Sequence, residues 1–519
     1  MKTRNIILSA VAGLLALSVV SCSNKLDIPQ HGVLDYNTFY KTDEQALEAD
    51  AALYLEILNG GGLGWDYWVR LCKAMLTDDF WAGGSMRGDN NDLDQLNEFR
   101  FDAEQDYIQK MFTSYYSLIY KANVILGHIE EEGASDIAKM VRAEAKVFRA
   151  YAYFDLKTMW GNPPLVDHEL TPSEYNVPNG TDEELWGLME KDLTEAIASG
   201  YLSEKSNADD SSVWRVTKQF AQALLGKVYL WQGKYDEAAK QFDLVVESQK
   251  YRLMDDYANI FRIGYKHNCE SIFEINRVYD DNAQPFSMYA LMTGWRMDKM
   301  NWPIDTPMMN TGWGFRVPTK NLYDEFVADE GVNGYRLNNA IKTYDQLQSE
   351  LGITLKSPVI GEGQFMWKLR ILAEDRGTNS DWVYSANCIW MRYAEVLLCG
   401  AEAHFMNNNT TKATEYVNNI RTRAHLATLG TVTLDDIKRE KRLELFGEGT
   451  RFQDLLRWGE GAKMANNGKI YPLLQVNGSV DYVDPANPTY GFKAGKHEHL
   501  PYPATEIRLN SAIKQNSGY

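Results

Sequence analysis

Apolar residues recur at helical spacing along much of the chain. From Gln105 to Glu130 the positions Ile108, Met111, Phe112, Tyr115, Leu118, Ile119, Ala122 and Ile125 form one stripe, which predicts a long amphipathic helix. A second long helix is predicted from Lys139 to Trp160. It is ended by Gly161-Asn162-Pro163-Pro164, a run that cannot continue a helix. An earlier one is predicted from Thr42 to Leu58. It opens on Thr42-Asp43-Glu44-Gln45, which fits a capping box, with Asp43 as the alternative N-cap.

Thr217 to Ser248 reads as a pair of helices. Leu225-Gly226-x-x-Tyr229 is followed by a turn at Gly233-Lys234 and then Ala238-x-x-x-Phe242. This resembles a tetratricopeptide unit, in which small residues let helices approach and large ones fill the groove. Arg392 to Ala424 resembles a degraded second copy, with Gly400, Ala403 and Ala413 at the tight positions. The predicted fold class is mostly α: tetratricopeptide-like helix pairs forming a scaffold rather than a regular solenoid, with an irregular, loop-rich insertion. The periodicity fails in three places. Gly60 to Asn97 is rich in Gly, Asn, Asp and Trp. Tyr251 to Lys320 mixes a short β-like run (Ser271 to Val278) with Trp-bearing loops. Asn466 to His499 is dense in Asn, Gly and Pro, and loops of such length are usually functional.

The N-terminus has a different pattern. Lys2 and Arg4 precede an apolar run from Ile6 to Val20, too short and too quickly ended for a membrane span. It closes on Leu17-Ser18-Val19-Val20-Ser21-Cys22, which resembles a lipobox. The resemblance implies cleavage before Cys22 and acylation of its sulfur and new amino group, with several acyl chains giving stable anchoring. Residues 1–21 then form the signal, 22–40 a polar, Pro-containing tether, and 41–519 one domain. No later apolar run reaches spanning length. The formal net charge is -18, and it becomes two units more negative once Lys2 and Arg4 are removed. That balance disfavours nucleic acid and anionic lipid surfaces as partners and is neutral towards sugars. The four remaining cysteines, Cys72, Cys269, Cys388 and Cys399, show neither CxxC spacing nor a zinc pattern and read as buried thiols. An oxidising compartment leaves room for one disulfide, whose pairing the sequence does not set.

Three further segments carry a resemblance. They are Arg142-Ala143-Glu144-Ala145-Lys146-x-x-Arg149-Ala150-x-Ala152-Tyr153-Phe154-Asp155-Leu156 ending in Trp160-Gly161-Asn162-x-Pro164-Leu165; Arg439-Glu440-Lys441-Arg442-x-Glu444-Leu445-x-x-Glu448-Gly449-x-Arg451-x-x-Asp454-Leu455-x-Arg457-Trp458-Gly459; and the chain end, Pro501-Tyr502-Pro503-x-x-Glu506-Ile507-x-x-Asn510 with Gln515-Asn516-x-Gly518-Tyr519. With the lipobox and Leu26-Asp27-Ile28-Pro29, they resemble the SusD/RagB outer-membrane lipoproteins over essentially the whole mature chain. The resemblance implies a surface-exposed, lipid-anchored protein that binds nutrient, caps a SusC-like TonB-dependent transporter and performs no catalysis. Val278 to Ser380 matches no motif, which leaves the cargo open. Independently, Arg442, Glu444, Glu448, Arg451, Asp454 and Arg457 mix both signs at helical spacings. They read as a structural ion-pair network across a helix and its turn, with Gly447 and Gly449 breaking the helix.

A sugar presents C–H faces and hydroxyl rims, so its site needs flat aromatic rings beside hydrogen-bonding side chains. Trp65, Trp68, Trp81, Trp295, Trp302 and Trp313 stand in loop-like surroundings, and Asp78, Asp79, Arg87, Asp89, Asn90 and Asn91 lie near Trp81. The resemblance implies a ligand face built from residues 60–97 and from the insertion, about 251–390. The candidates are therefore Trp81, Asp78, Asp79, Arg87, Asn90, Trp295, Trp302 and Trp313, with Trp81 first and then Trp302 and Trp313. No metal and no cofactor is expected. Asp89 to Asp94 places Leu93 where a calcium loop needs an oxygen ligand, and His497-Glu498-His499 lacks metalloprotease spacing and reads as surface loop. Glu395 and Glu402 stand two turns apart near the separation of an inverting glycosidase, but on a core-facing helix. The expected function is glycan binding. The alternatives are binding of peptide or another nutrient in the same role, a helical-scaffold glycoside hydrolase, or a structural adaptor.

Overall fold

The computed structural model describes residues 39–277, 288–307, 312–370, 372–373, 386–468, 471–483 and 490–519. The signal segment, Cys22 and the tether up to residue 38 lie outside the described residues. Helix α1 (Asp43–Asn59) starts with the expected capping box. The Thr42 hydroxyl accepts from the Gln45 N–H, and the Gln45 side chain accepts from the Thr42 N–H. The long helices α2 (Asp106–His128) and α3 (Asp136–Trp160) pack against α1 and each other, and α3 also packs on α4 (Asp182–Ser199). α3 begins three residues before the expected Lys139 because the Ser135 hydroxyl caps it by accepting from Ala138 N–H. It ends where Gly161 takes φ 79°, a conformation that L side chains avoid.

The tetratricopeptide-like pair consists of α5 (Lys218–Trp231) and α6 (Tyr235–Glu247). A Cβ at Gly226 would lie 2.8 Å from the Phe242 ring, so a side chain there would hold the two helices apart. The second pair is α7 (Tyr393–Met406) and α8 (Thr410–Arg423), and its Gly400 would place a Cβ 3.0 Å from Tyr416 and 3.2 Å from Phe242. Phe242 thus fills both grooves, and α6 packs directly on α7.

The strands that shape the site and its frame are short: β1 (Phe80–Gly83), β2 (Ser271–Ile275), β3 (Phe315–Pro318), β4 (Val359–Ile360), β5 (Gln364–Met366), β6 (Cys388–Arg392), β7 (Pro472–Leu474) and β8 (Val480–Tyr482). β2 pairs antiparallel with β6, from Ser271↔Arg392 to Ile275↔Cys388. This ladder closes the excursion between them at its base and sets α7 beside α6. Within the excursion a second, smaller core forms around Trp295, Met300, Tyr344, Leu347, Leu355 and Phe365.

Several expectations change. Residues 60–97 are not an open loop. Asp66–Leu71 is a π-helical turn, Cys72–Met75 continues it as α-helix, β1 follows, and Asn91–Asn97 is helical. Trp65 is fully buried against Tyr115, with ring centroids 4.9 Å apart, and Trp68 packs edge-on against Tyr67 and Tyr107. A π turn shifts the apolar repeat off the 3.6-residue period, which hid this helix from a periodicity reading. His497 is also not at the surface. It is buried among Phe99, Phe101, Phe492 and Tyr519, and its Nδ1 accepts from the Lys493 N–H at 2.8 Å. Cys72, Cys269, Cys388 and Cys399 are free, buried thiols.

The charged C-terminal segment spans α9 (Leu434–Leu445) and the helix Arg451–Arg457. It is an ion-pair network, but it mostly reaches outward rather than along its own helix. Arg457 does bond Asp454 at 2.9 Å. Glu444 and Glu448 instead bind Arg392 at 2.7 Å each, Lys368 binds Glu448 at 2.6 Å, and Arg336 binds Glu440 at 2.6 Å and Glu444 at 3.0 Å. The reason is burial. A carboxylate fully removed from water needs several donors, and i,i+3 or i,i+4 neighbours on one helix supply too few. Burial pushes the Glu444 carboxyl up, but Arg423, Arg392, Arg336 and Lys368 outweigh it and hold it well below its ordinary value. Among the described residues no helix is long and apolar enough to cross a membrane.

Candidate ligand-binding site

Three pieces of backbone converge beside the C-terminal network. β1 pairs antiparallel with β3, placing Trp81 opposite Val317. β7 lies between β8 and β4, with Pro472 opposite Tyr482 and Leu473 opposite Ile360. The chain then turns through Gly361-Glu362-Gly363 into β5. Gly361 and Gly363 have φ of 140° and 94°, and a Cβ at Gly361 would meet Val317 at 2.9 Å, so the turn requires glycine there. The turn aims Glu362 at both aromatic rings. Its Oε2 accepts from the Trp81 indole N–H at 2.8 Å and from the Lys320 N–H at 2.7 Å, and its Oε1 accepts from the Tyr482 hydroxyl. The two rings meet edge to face at 6.4 Å.

Between these groups opens a cleft of about 620 Å³, lined also by Asp78, Lys320, Asn321, Asp324, Glu325 and Lys463. Its floor is the C-terminal motif. Arg451 binds Asp78 with two bonds of 3.0 and 2.9 Å, and Arg442 reaches Asp78 at 3.2 Å, Asp79 at 2.9 Å and the Asn321 amide oxygen at 2.7 Å. Burial pushes the Asp78 carboxyl up, but the two guanidinium groups outweigh it and hold it below its ordinary value. Trp81 is 4% exposed, whereas Tyr482 is half-buried and leaves more of its surface to the cleft. The arrangement suits a polyol: an aromatic surface for C–H groups, with carboxylate, amide and ammonium groups around it for hydroxyls.

The eight candidates do not all meet here. Asp78 and Trp81 line the cleft, and Asp79 lies fully buried behind it on Arg442. Arg87 is occupied by Glu98 through bonds of 2.7 and 3.0 Å. Asn90 caps the helix Asn91–Asn97, accepting from Leu93 N–H and donating to the Tyr107 hydroxyl at 2.7 Å. Trp295 is buried in the second core and donates to the Met366 carbonyl at 3.1 Å. Trp302 is half-buried with the Lys356 ammonium 5.4 Å above its ring, and Trp313 is half-buried against Ala290 and Leu291. Glu362 and Tyr482 were not singled out from the sequence. Their signals were a Gly-Glu-Gly turn in a stretch without motifs, and a Tyr in the long Asn466–His499 region.

The carboxylates that stood two turns apart are both engaged. Glu395 pairs with Lys227 at 2.7 Å, and Glu402 accepts from Arg457 at 2.5 and 2.8 Å and from the Trp458 indole at 2.8 Å. In the polar turn 85–94, the Asp89 carboxylate accepts from Ser85 N–H and that of Asp94 from Gly88 N–H. Among the described residues no cluster of His, Cys, Asp and Glu is arranged to hold a metal ion.

Residues 361–519 match the model of the SusD family, and residues 70–230 match one described as starch-binding associating with outer membrane. The chain belongs to the SusD/RagB family. Among SusD-like relatives, one of Formosa agariphila is 24% identical, aligned over 97% of this chain and 98% of its own length. One of Bacteroides ovatus is 25% identical over 88% of this chain and 83% of its own length. The fold is shared with a laminarin-binding SusD-like protein, at 27% identity and a TM-score of 0.77, over 92% of this chain and all of that one. It is shared too with surface glycan-binding protein A of Bacteroides thetaiotaomicron, solved in complex with laminarihexaose, at 26% identity and a TM-score of 0.73, over 91% of this chain and 99% of that one. The mostly helical SusD architecture thus accounts for the tetratricopeptide-like pairs, and the cleft lies where the family's C-terminal segment meets the excursion.

Proposed function

We propose that this chain binds oligo- or polysaccharide at the outer membrane and hands it to a SusC-like TonB-dependent transporter without transforming it. The observation that carries the reading is the pair Trp81 and Tyr482 fixed on one carboxylate, Glu362, at the wall of an open polar cleft. Tyr482 supplies the stacking face, Trp81 backs it, and Asn321, Asp324 and Lys320 offer hydroxyl partners. Two similar structures are named for laminarin or laminarihexaose, so a neutral glucan of that class is the first ligand to try. The engagement of Glu395 and Glu402 in ion pairs supports binding without hydrolysis. The outer-membrane setting is supported by the family description and by the lipobox ending at Cys22.

Affinity gel electrophoresis of the purified protein across a panel of polysaccharides tests the reading. One glycan should retard the wild type, and Tyr482→Ala should weaken that retardation at least about tenfold, as expected for loss of a stacking ring worth about 1.5 kcal/mol or more. If no polysaccharide retards the protein, glycan is the wrong ligand class, and peptide binding takes its place.

A further inference from the structure

Four arginines are among the largest fully buried side chains: Arg277, Arg316, Arg336 and Arg392. Three have carboxylate partners: Asp66 for Arg277 at 2.7 Å, Glu330 and Glu440 for Arg336, and Glu444 and Glu448 for Arg392. Arg316 has none among the described residues. Its Nη1 donates to the Tyr289 hydroxyl and to the Gly447 carbonyl at 3.2 Å. Its guanidinium lies over the rings of Phe80 at 5.3 Å and Tyr289 at 5.0 Å. The ring faces offset part of the charge, but Nε and Nη2 have no protein partner. A second buried cation, Arg70, stands close enough to repel it. The backbone at Arg316 is also unusual, with φ 62° in a non-glycine residue on a strand. Strain of this kind persists where the surroundings hold a side chain in one place.

Arg316 lines a cavity of about 30 Å³ between β3, β5 and the Trp295 loop. Two more groups on its wall have buried polar atoms without a protein partner: Arg296 through Nε, although its Nη2 donates to Asp298 at 2.8 Å and its Nη1 lies 3.8 Å from Asp89, and Gln364 through Oε1. The rest of the wall is largely apolar, including Trp295, Phe315, Ile360 and Phe365. One water needs roughly 10–15 Å³ of such space, so the cavity takes about two water-sized bodies, a size that suits a monatomic ion. Water would satisfy the donors but leave a guanidinium, which stays protonated, buried without a counter-charge. A monatomic anion meets both needs.

We propose that this cavity is a binding site for a small inorganic anion of the chloride class, held by Arg316 and Arg296 and, with its amide turned, by Gln364. The anion joins β3 to β5. These are the strands that support Trp81, through the β1–β3 ladder, and the Glu362 turn. It is therefore a structural pin beneath the candidate cleft, and it does not depend on what that cleft binds.

Crystals of the protein grown or soaked in bromide test the site directly. The expected result is an anomalous peak within hydrogen-bonding distance of Arg316 and Arg296, lost in Arg316→Met. A cavity holding only water-like density without anomalous signal overturns the proposal. Because Arg316→Met can fail to fold, the wild type supplies a second measurement. Its thermal midpoint should rise saturably with chloride over gluconate at matched ionic strength. Equal midpoints in the two salts also overturn it.

Discussion

Asp78 and Asp79 are neighbours in sequence with opposite surroundings: one lines the cleft, the other is sealed behind it on Arg442. Single side chains divide in this way throughout the site. Glu362→Gln keeps the shape but weakens acceptance from Trp81, Lys320 and Tyr482. We expect it to reduce glycan affinity roughly 5- to 30-fold, as for about 1–2 kcal/mol of lost charge-assisted bonding, with the melting temperature nearly unchanged. Titration calorimetry against the retarding glycan measures this, and unchanged affinity would remove Glu362 from the site. His497 gives a pH prediction. Burial, with Lys496 and Lys493, lowers its pKa from 6.5 to about 4. The folded state thus binds fewer protons than the unfolded state between these values. The contribution is fully present above pH 6.5 and is lost as pH falls from 6.5 to about 4. It amounts to up to about 3 kcal/mol. Urea titrations across that range should show a shallower decline for His497→Phe than for the wild type, and parallel declines would contradict the assignment. At this scale the sequence was a fair guide to residue type and a poor one to exposure. An Asp, a Trp or a His looks the same in sequence whether it faces a cleft or a partner from a distant element.

The helices were the most legible elements. The capping box at Thr42, the stop at Gly161 and the small residues of the helix pairs act locally, and local signals are written in consecutive residues. Gly226 gives a quantitative test. Gly226→Val should cost about 2–3 kcal/mol in urea unfolding by overpacking against Phe242, with part of the loss recovered by Phe242→Leu. An additive double mutant would mean that the two residues do not share the tight contact. The π-helical turn at Asp66–Leu71 was not legible, because it breaks the very period on which a helix is recognised. The strands β4, β7 and β8 were also missed. Each has two or three residues and exists only because a partner from elsewhere in the chain completes its hydrogen bonds.

Across the whole molecule, the buried ion pairs join parts that lie far apart in sequence. Arg392 at the end of β6 binds Glu270 beside β2, Glu444 on α9 and Glu448 in the turn beyond it. Arg392→Met should destabilise the protein by about 3–5 kcal/mol, since it takes one buried cation from three buried carboxylates and leaves them to Arg423, Arg336 and Lys368 alone. Framework and insertion should still unfold in one transition if they share this network, and two separate transitions in calorimetry would show that they do not. The charge density of the C-terminal motif was visible in the sequence, but its partners Asp78, Arg336, Lys368 and Arg392 could not be named without the fold. The same holds for the cleft, whose walls come from β1, the Glu362 turn, the start of the helix Lys320–Glu330 and β8. A crystal structure with the oligosaccharide selected by gel retardation tests the central claim most directly. The account predicts sugar density against the Tyr482 ring, with hydroxyls within hydrogen-bonding distance of Glu362, Asn321 or Asp324. Sugar bound instead at Trp302 and Lys356, with the Tyr482 cleft holding only solvent, would contradict it.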